Sequence, residues 1–249
     1  MTMQDNLYDE MYQLEEKHWW FKSKRKIILE LINQELSGTE NEILDCGCGC
    51  GCLLKYLKIY GNVKGIDYSA RALAYSKKNF DGDLVQSDLL KKVELPDESV
   101  DLAIALDVIE HLEDDELGLK NIRRVLKTNG KLLVTVPAFK QLWSYHDVEH
   151  MHKRRYTIKQ LERVLKKTGY SIAYISYYNF WLFLPIYVAR KIKNKINDCE
   201  SDASMPSPFV NFLLEKIFST ETFLCRHRVK MPVGVSIIAI VNKSIENEN

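Results

Sequence analysis

Ile43-Leu44-Asp45-Cys46-Gly47-Cys48-Gly49-Cys50-Gly51 is a β-rich run that breaks into three alternating glycines and then enters a helical period. Glycine at such places lets the backbone turn sharply and lets a ligand touch the main chain with no Cβ in the way. A dinucleotide loop of the form G-x-G-x-x-G would set a pyrophosphate on the helix N-terminus. Here the third glycine of that form is replaced by Cys52, and the pattern is G-x-G-x-G. Asp45 precedes the turn, where its charge repels a pyrophosphate and complements an ammonium or sulfonium group. The loop prefers a cationic ligand that has no phosphate.

Working outward, β-rich runs alternate with helical periods: 53–60 helical, 63–66 β, 70–79 helical, 84–86 β, 100–106 β, 115–127 helical and 131–137 β. That alternation predicts βαβ units on a mostly parallel sheet, an α/β fold. Thr157 caps a helix that runs to Lys167 and stops at Gly169. Residues 170–178 read as a further strand and 233–241 as its antiparallel partner. The stretch between them, 179–230, is far longer than a hairpin loop and reads as an insertion. Upstream, 7–36 reads as helical, with Ile27, Ile28, Leu31 and Ile32 on one face and an aromatic knot at Trp19, Trp20 and Phe21.

The 249 residues are 46% hydrophobic and 28% charged, which excludes disorder and suits one domain over 1–249. Within it, 1–37 is expected to be a helical lid, 40–178 a ligand-binding core, 179–230 an insertion and 231–243 the final strand. A net charge of +1 sets up no field for nucleic acid, and none is expected as a partner. The first residues are polar and acidic, without the basic and apolar regions of a secretory signal, so a cytoplasmic chain with reduced thiols is expected. Cys46, Cys48, Cys50 and Cys52 are too close to pair with one another easily. They lack the two-residue spacings of zinc knuckles and read as small space-filling residues, with Cys50 and Cys52 open to oxidation if exposed. No stretch reaches the roughly 20 apolar residues of a membrane span.

The glycine loop resembles motif I of the class I S-adenosylmethionine-dependent methyltransferases, and the resemblance continues in order. Gly65-Ile66-Asp67-Tyr68-Ser69 is similar to the family's second strand end, whose acid accepts from both ribose hydroxyls. Gln86-Ser87-Asp88 resembles its third strand end, Asp107-Val108-Ile109-Glu110-His111-Leu112 its D-x-x-E-H-L, and Lys127-Thr128-Asn129-Gly130 its fifth-strand approach. His18-Trp19-Trp20-Phe21 resembles the lid helix of one branch, and His146-Asp147 through Arg154-Arg155-Tyr156-Thr157 resembles that branch's H-D…H-x-R-R-Y-T segment. The resemblance implies a Rossmann-like seven-stranded sheet with helices on both faces, antiparallel only in its last strand, and S-adenosyl-L-methionine as cofactor. The cofactor would meet Asp45, Gly47, Cys48, Gly49, Gly51, Asp67, Tyr68, Ser87, Asp88, Leu89, Leu106, Asp107, Val108 and Trp20.

On the acceptor side, His111 is the candidate base, the alternative being a histidine that only hydrogen-bonds its own loop. Glu110, His146, His150 and Tyr156 are expected to face the substrate, with Arg154 and Arg155 clamping a carboxylate or phosphate, or else marking a solvated helix entry. No metal is expected, because methyl transfer from a sulfonium needs no Lewis acid. The insertion opens with an apolar and aromatic run, 180–188, and turns basic at Arg190, Lys191, Lys193 and Lys195. That order suits peripheral contact of 180–196 with a membrane, a lid over an apolar pocket or a homodimer contact. The expected function is methyl transfer to a small-molecule or lipid- or glycan-linked acceptor. A non-catalytic S-adenosylmethionine-binding protein and an NAD-dependent oxidoreductase are the competing readings.

Overall fold

In the computed structural model, which describes residues 5–196 and 204–244, the apolar run before the glycines is strand β1 (Asn41–Cys46), an inner strand of a seven-stranded sheet. It pairs in parallel with β2 (Gly61–Asp67) on one side and β4 (Val100–Leu106) on the other. β3 (Asp83–Gln86) adds in parallel to β2, and β5 (Leu126–Pro137) adds in parallel to β4. β7 (Ser236–Lys243) lies antiparallel between β5 and β6 (Tyr170–Tyr178), giving the order β3-β2-β1-β4-β5-β7-β6. β-branched and apolar residues fill both faces of the middle strands, as strands covered on both sides require.

One face is covered by α5 (Asp115–Val125) and α7 (Ile158–Lys167), whose Leu119, Ile122, Leu161 and Leu165 pack with Val134, Val136 and Ile237. Thr157 caps α7 in a reciprocal capping box with Gln160, and Gly169 follows at φ +83°. The other face is covered by α2 (Trp19–Glu35), with Ile27, Ile28, Leu31 and Ile32 packed on Ile104, Leu133 and Ile240. The helical period over 7–36 divides into α1 (Asp5–Leu14) and α2, because His18 accepts from Trp20 N–H and starts a new helix. The period over 53–60 yields only α3 (Leu54–Leu57) and a 3₁₀ turn, since Gly61 already begins β2. α4 (Ala70–Asn79) follows β2 and is capped by Ser69. A short helix, α6 (Tyr145–Glu149), follows β5.

The insertion carries α8 (Phe183–Lys195), α9 (Pro208–Ser219) and α10 (Glu221–Arg226). α9 clamps α2: Asn211 Oδ1 accepts from Trp19 N–H at 2.9 Å, and Glu215 pairs with both Lys22 and Lys26. Among the described residues, no helix is long and apolar enough to cross a membrane. The insertion joins the sheet through Glu221, only 1% exposed, whose carboxylate accepts from the N–H groups of Asn179, Phe180 and Trp181 at 2.7, 2.8 and 3.2 Å. Replacing it by alanine strands one buried and two partly buried donors. Glu221→Ala should therefore cost about 2–3 kcal/mol of stability in a urea titration, and an unchanged midpoint would show that these bonds carry nothing.

Candidate active site

Because β1, β2 and β4 run parallel, their C-terminal ends share one rim, and the loops that leave them converge there. The glycines of the first loop divide into two jobs. Gly47 and Gly51 are packing glycines at φ +74° and +78°: a Cβ on Gly47 would stand 2.5 Å from Val108, and one on Gly51 would stand 2.8 Å from the Ser76 backbone. Gly49, at φ +55°, has no atom nearer than 3.9 Å to where its Cβ would be. Its N–H donates to Asp67 Oδ2 at 2.9 Å, and its carbonyl accepts from Ser76 Oγ at 2.7 Å, so the backbone is held open toward a cavity.

That cavity has a volume of about 740 Å³ and runs from the glycine loop to the insertion. Of the residues expected to meet the cofactor, all line it except Gly51, which is turned onto α4. Asp67 keeps Ser69 N–H at 2.8 Å on its other oxygen, leaving a lone pair on each oxygen for ribose hydroxyls. Asp45 is buried, and desolvation together with the Asp67 charge raises its pKa to about 7 against the opposing pull of Lys24. Asp107 shows the reverse balance. Burial raises it, but the Lys24 charge and hydrogen bond, helped by Thr135, bring it below the usual carboxylate range. Lys24 Nζ reaches Asp107 at 2.5 Å and lies 4.8 Å above the Trp20 ring. Lys24 went unassigned in the sequence, although it sits one turn beyond Trp20 on the same helix face; Trp19 also lines the cavity.

The four thiols of the loop segment are buried and free. Burial, the first cause, raises the pKa of all four, Cys52 to about 12, so they are neutral thiols; Cys46 and Cys50 are fully buried, while Cys48 and Cys52 line the cavity.

At the other end of the cavity stand Glu110, His111, His146, His150 and Arg155. Burial, then the neighbouring His152 and His150, lowers His111 to about 3, so its imidazole is neutral and only weakly basic at physiological pH. That weakens the case for His111 as the base. Arg155 and Arg154 also depart from the expected anion clamp, because each already has a carboxylate. Arg155 holds Asp147 through Nε and Nη2 at 2.7 and 3.0 Å. Arg154 pairs with Asp115 at 2.9 Å and lies outside the cavity lining. Tyr156 is likewise outside it, buried and donating to Asp115 at 2.6 Å. From the insertion, Arg190 and Lys193 also line the cavity, Arg190 donating to the Leu142 carbonyl at 2.9 Å.

Residues 44–134 match a family model described as a methyltransferase domain. A probable S-adenosylmethionine-dependent methyltransferase of Mycolicibacterium smegmatis is 25% identical over 64% of this chain and 62% of its own length. Another, from Mycobacterium tuberculosis, is 26% identical over 50% of this chain and 44% of its own. Residues 44–134 thus carry a methyltransferase domain, and the chain is similar to S-adenosylmethionine-dependent methyltransferases. It spans less than two thirds of each of these relatives. Among solved structures, a complex between the Haloferax volcanii Trm112 methyltransferase activator and a methyltransferase matches with TM-score 0.66, 15% identity and 98% and 97% coverage of the two chains. A Thermotoga maritima methyltransferase, described as a possible histamine N-methyltransferase, matches with TM-score 0.62, 16% identity and 96% coverage of each. Both likenesses are of fold.

The two kinds of glycine in this methyltransferase loop should separate in one experiment. Gly49→Val should abolish binding of S-adenosylhomocysteine while circular dichroism stays native, since the added atoms fill ligand space. Gly51→Ala should instead lower stability by about 2 kcal/mol, through strain and the clash with Ser76. Retained affinity in Gly49→Val would remove the loop from the site.

Proposed function

We propose that this chain transfers the methyl group of S-adenosylmethionine to a hydrophobic anionic acceptor, lipid-linked or small, taken up at a membrane surface. The observation that carries the acceptor class is the two-sided character of α8. Ile186, Ala189, Arg190 and Lys193, spaced for one helix face, line the cavity. The opposite face leaves Leu184, Val188 and Ile192 exposed at 66%, 47% and 56%, and Trp181 before it and Phe209 and Phe212 of α9 are exposed as well. Lys191 and Lys195 lie on the same helix as the exposed face, the composition of a helix lying in an anionic interface.

The cofactor supplies a methyl group already activated on a sulfonium; the chain's work is to bind, orient and exclude water. Asp45 would accept the cofactor's ammonium and Asp67 its ribose hydroxyls. Ser87, Asp88 and Leu89 would border the adenine, and Trp20 would cover the sulfonium. Glu110, His111, His146 and His150 would face the acceptor, with Arg190 and Lys193 nearest its anionic group. A dinucleotide oxidoreductase fits this loop poorly, because Asp45 lies where a pyrophosphate would bring more negative charge.

Titrating the protein with S-adenosylhomocysteine and with NAD should give binding of the first alone; the reverse result would overturn the reaction class. The affinity should also carry the mark of Asp45. A cation favours the ionised carboxylate, so binding below pH 7 requires a proton to leave. Affinity should be steady above about pH 7 and fall by up to about tenfold per unit below it. A flat profile from pH 5.5 to 8.5 would take Asp45 out of ligand contact. For the acceptor, the protein should float with vesicles containing phosphatidylglycerol, and Leu184→Asp with Ile192→Asp should abolish this without changing S-adenosylhomocysteine affinity. No flotation, or a concentration-dependent dimer that buries the same face, would leave α8 as a lid or subunit contact.

A further inference from the structure

Beyond Asp107, the wall of the cavity concentrates imidazole and carboxylate groups that methyl transfer does not demand. Glu110, His111 and His152 each offer one donor atom, and these three atoms lie within 4.8 Å of one another. The rings of His111 and His152 are 4.7 Å apart, edge to face. Glu110 is fully buried, yet neither of its carboxylate oxygens has a hydrogen-bond partner among the described residues. A buried carboxyl left without donors calls for a proton or a cation.

His152 is prepared for the same cation. His152 Nδ1 is 2.8 Å from Asp147 Oδ1, and Asp147 is kept ionised by the Arg155 guanidinium and the Ser144 N–H. There an oxygen acceptor takes one ring nitrogen and leaves the other for a further partner, the arrangement found behind metal-bound imidazoles. Two imidazoles and one carboxylate form a donor set for zinc, and for iron or manganese where coordination positions stay open. Around an ion held at about 2.1 Å, tetrahedral donors stand roughly 3.4 Å apart, so small side-chain rotations would close the set.

We propose that Glu110, His111 and His152 bind one divalent first-row transition-metal ion at the acceptor end of the cavity, with Asp147 and Arg155 as positioning residues. This departs from the metal-free site expected of the sequence. Its use rests on the methyl-transfer reading, but the binding itself does not. An acceptor hydroxyl on an open coordination position would lose its proton more readily, passing it to water. Its oxygen would form the C–O bond as the C–S bond breaks, with the electron pair staying on sulfur.

The test is calorimetric titration of untagged, chelator-stripped protein with Zn²⁺ and with Mn²⁺, beside a titration with S-adenosylhomocysteine. One ion per chain is expected for at least one of the metals. Glu110→Gln and His152→Asn should each weaken it by about 100-fold or more, and Asp147→Asn by about 10-fold. Cobalt substitution should give visible bands that His111→Asn alters. Affinity for S-adenosylhomocysteine should survive in these variants, which also certifies their folding. Absence of stoichiometric binding of either metal, or binding that neither Glu110→Gln nor His152→Asn weakens, overturns the proposal. Metal binding with no affinity for S-adenosylhomocysteine in the unaltered protein would instead overturn the methyltransferase reading and leave the metal site standing.

Discussion

The parallel pairing of β1, β2 and β4 forces three carboxylates onto one rim, and much of the site follows from how their charge is met. Asp45, Asp67 and Asp107 stand at or just beyond the ends of adjacent strands, all within the cavity wall. Like charges held together away from water raise one another's pKa or require cations. Asp107 is met by Lys24, which comes from outside the sheet on α2. Asp67 is met by backbone N–H groups from its own and the preceding loop. Asp45, with its pKa near 7, is the carboxylate left for a cationic ligand.

This charge pattern also explains why the N-terminal helix cannot be a loose flap. Withdrawing α2 would strip Lys24 from Asp107 and expose Ile27, Ile28, Leu31 and Ile32 together. Its N-terminal turn is further tied to α9 through Asn211 and Glu215. α8, tied to the loop after β5 through Arg190 and Asn194, has one face on the cavity and the other outside. Insertion and N-terminal helix form one cover whose fixed half carries the charge and whose outer half carries the apolar surface.

Strand order along the chain was legible because period-two and period-3.6 patterns are local, and so was the capped helix from Ile158 to Lys167. That the glycine loop, Asp45 and Asp67 would converge on one cavity was legible because the glycine pattern and the two strand-end acids are close together in sequence. What escaped depends on contacts between distant residues. The pairing of Lys24 with Asp107 spans 83 positions, and nothing near either residue announces it. Arg154 and Arg155 read as free cations because Asp115 and Asp147 are brought to them only by folding. Gly51 read as a ligand contact because its neighbour glycines set the pattern, whereas its space is taken by Ser76 of a later helix. The histidines were visible singly, but their convergence with Glu110 required the loop after β5 to fold back onto the end of β4.

A crystal structure of the full chain with S-adenosylhomocysteine tests the central claim most directly. The account predicts the ligand's ammonium against Asp45, its ribose hydroxyls on Asp67, its backbone path past Gly49, and its sulfur pointing toward Glu110, His111 and His152. A ligand that left Asp45 and Asp67 untouched, or whose sulfur faced away from the histidine cluster, would contradict it.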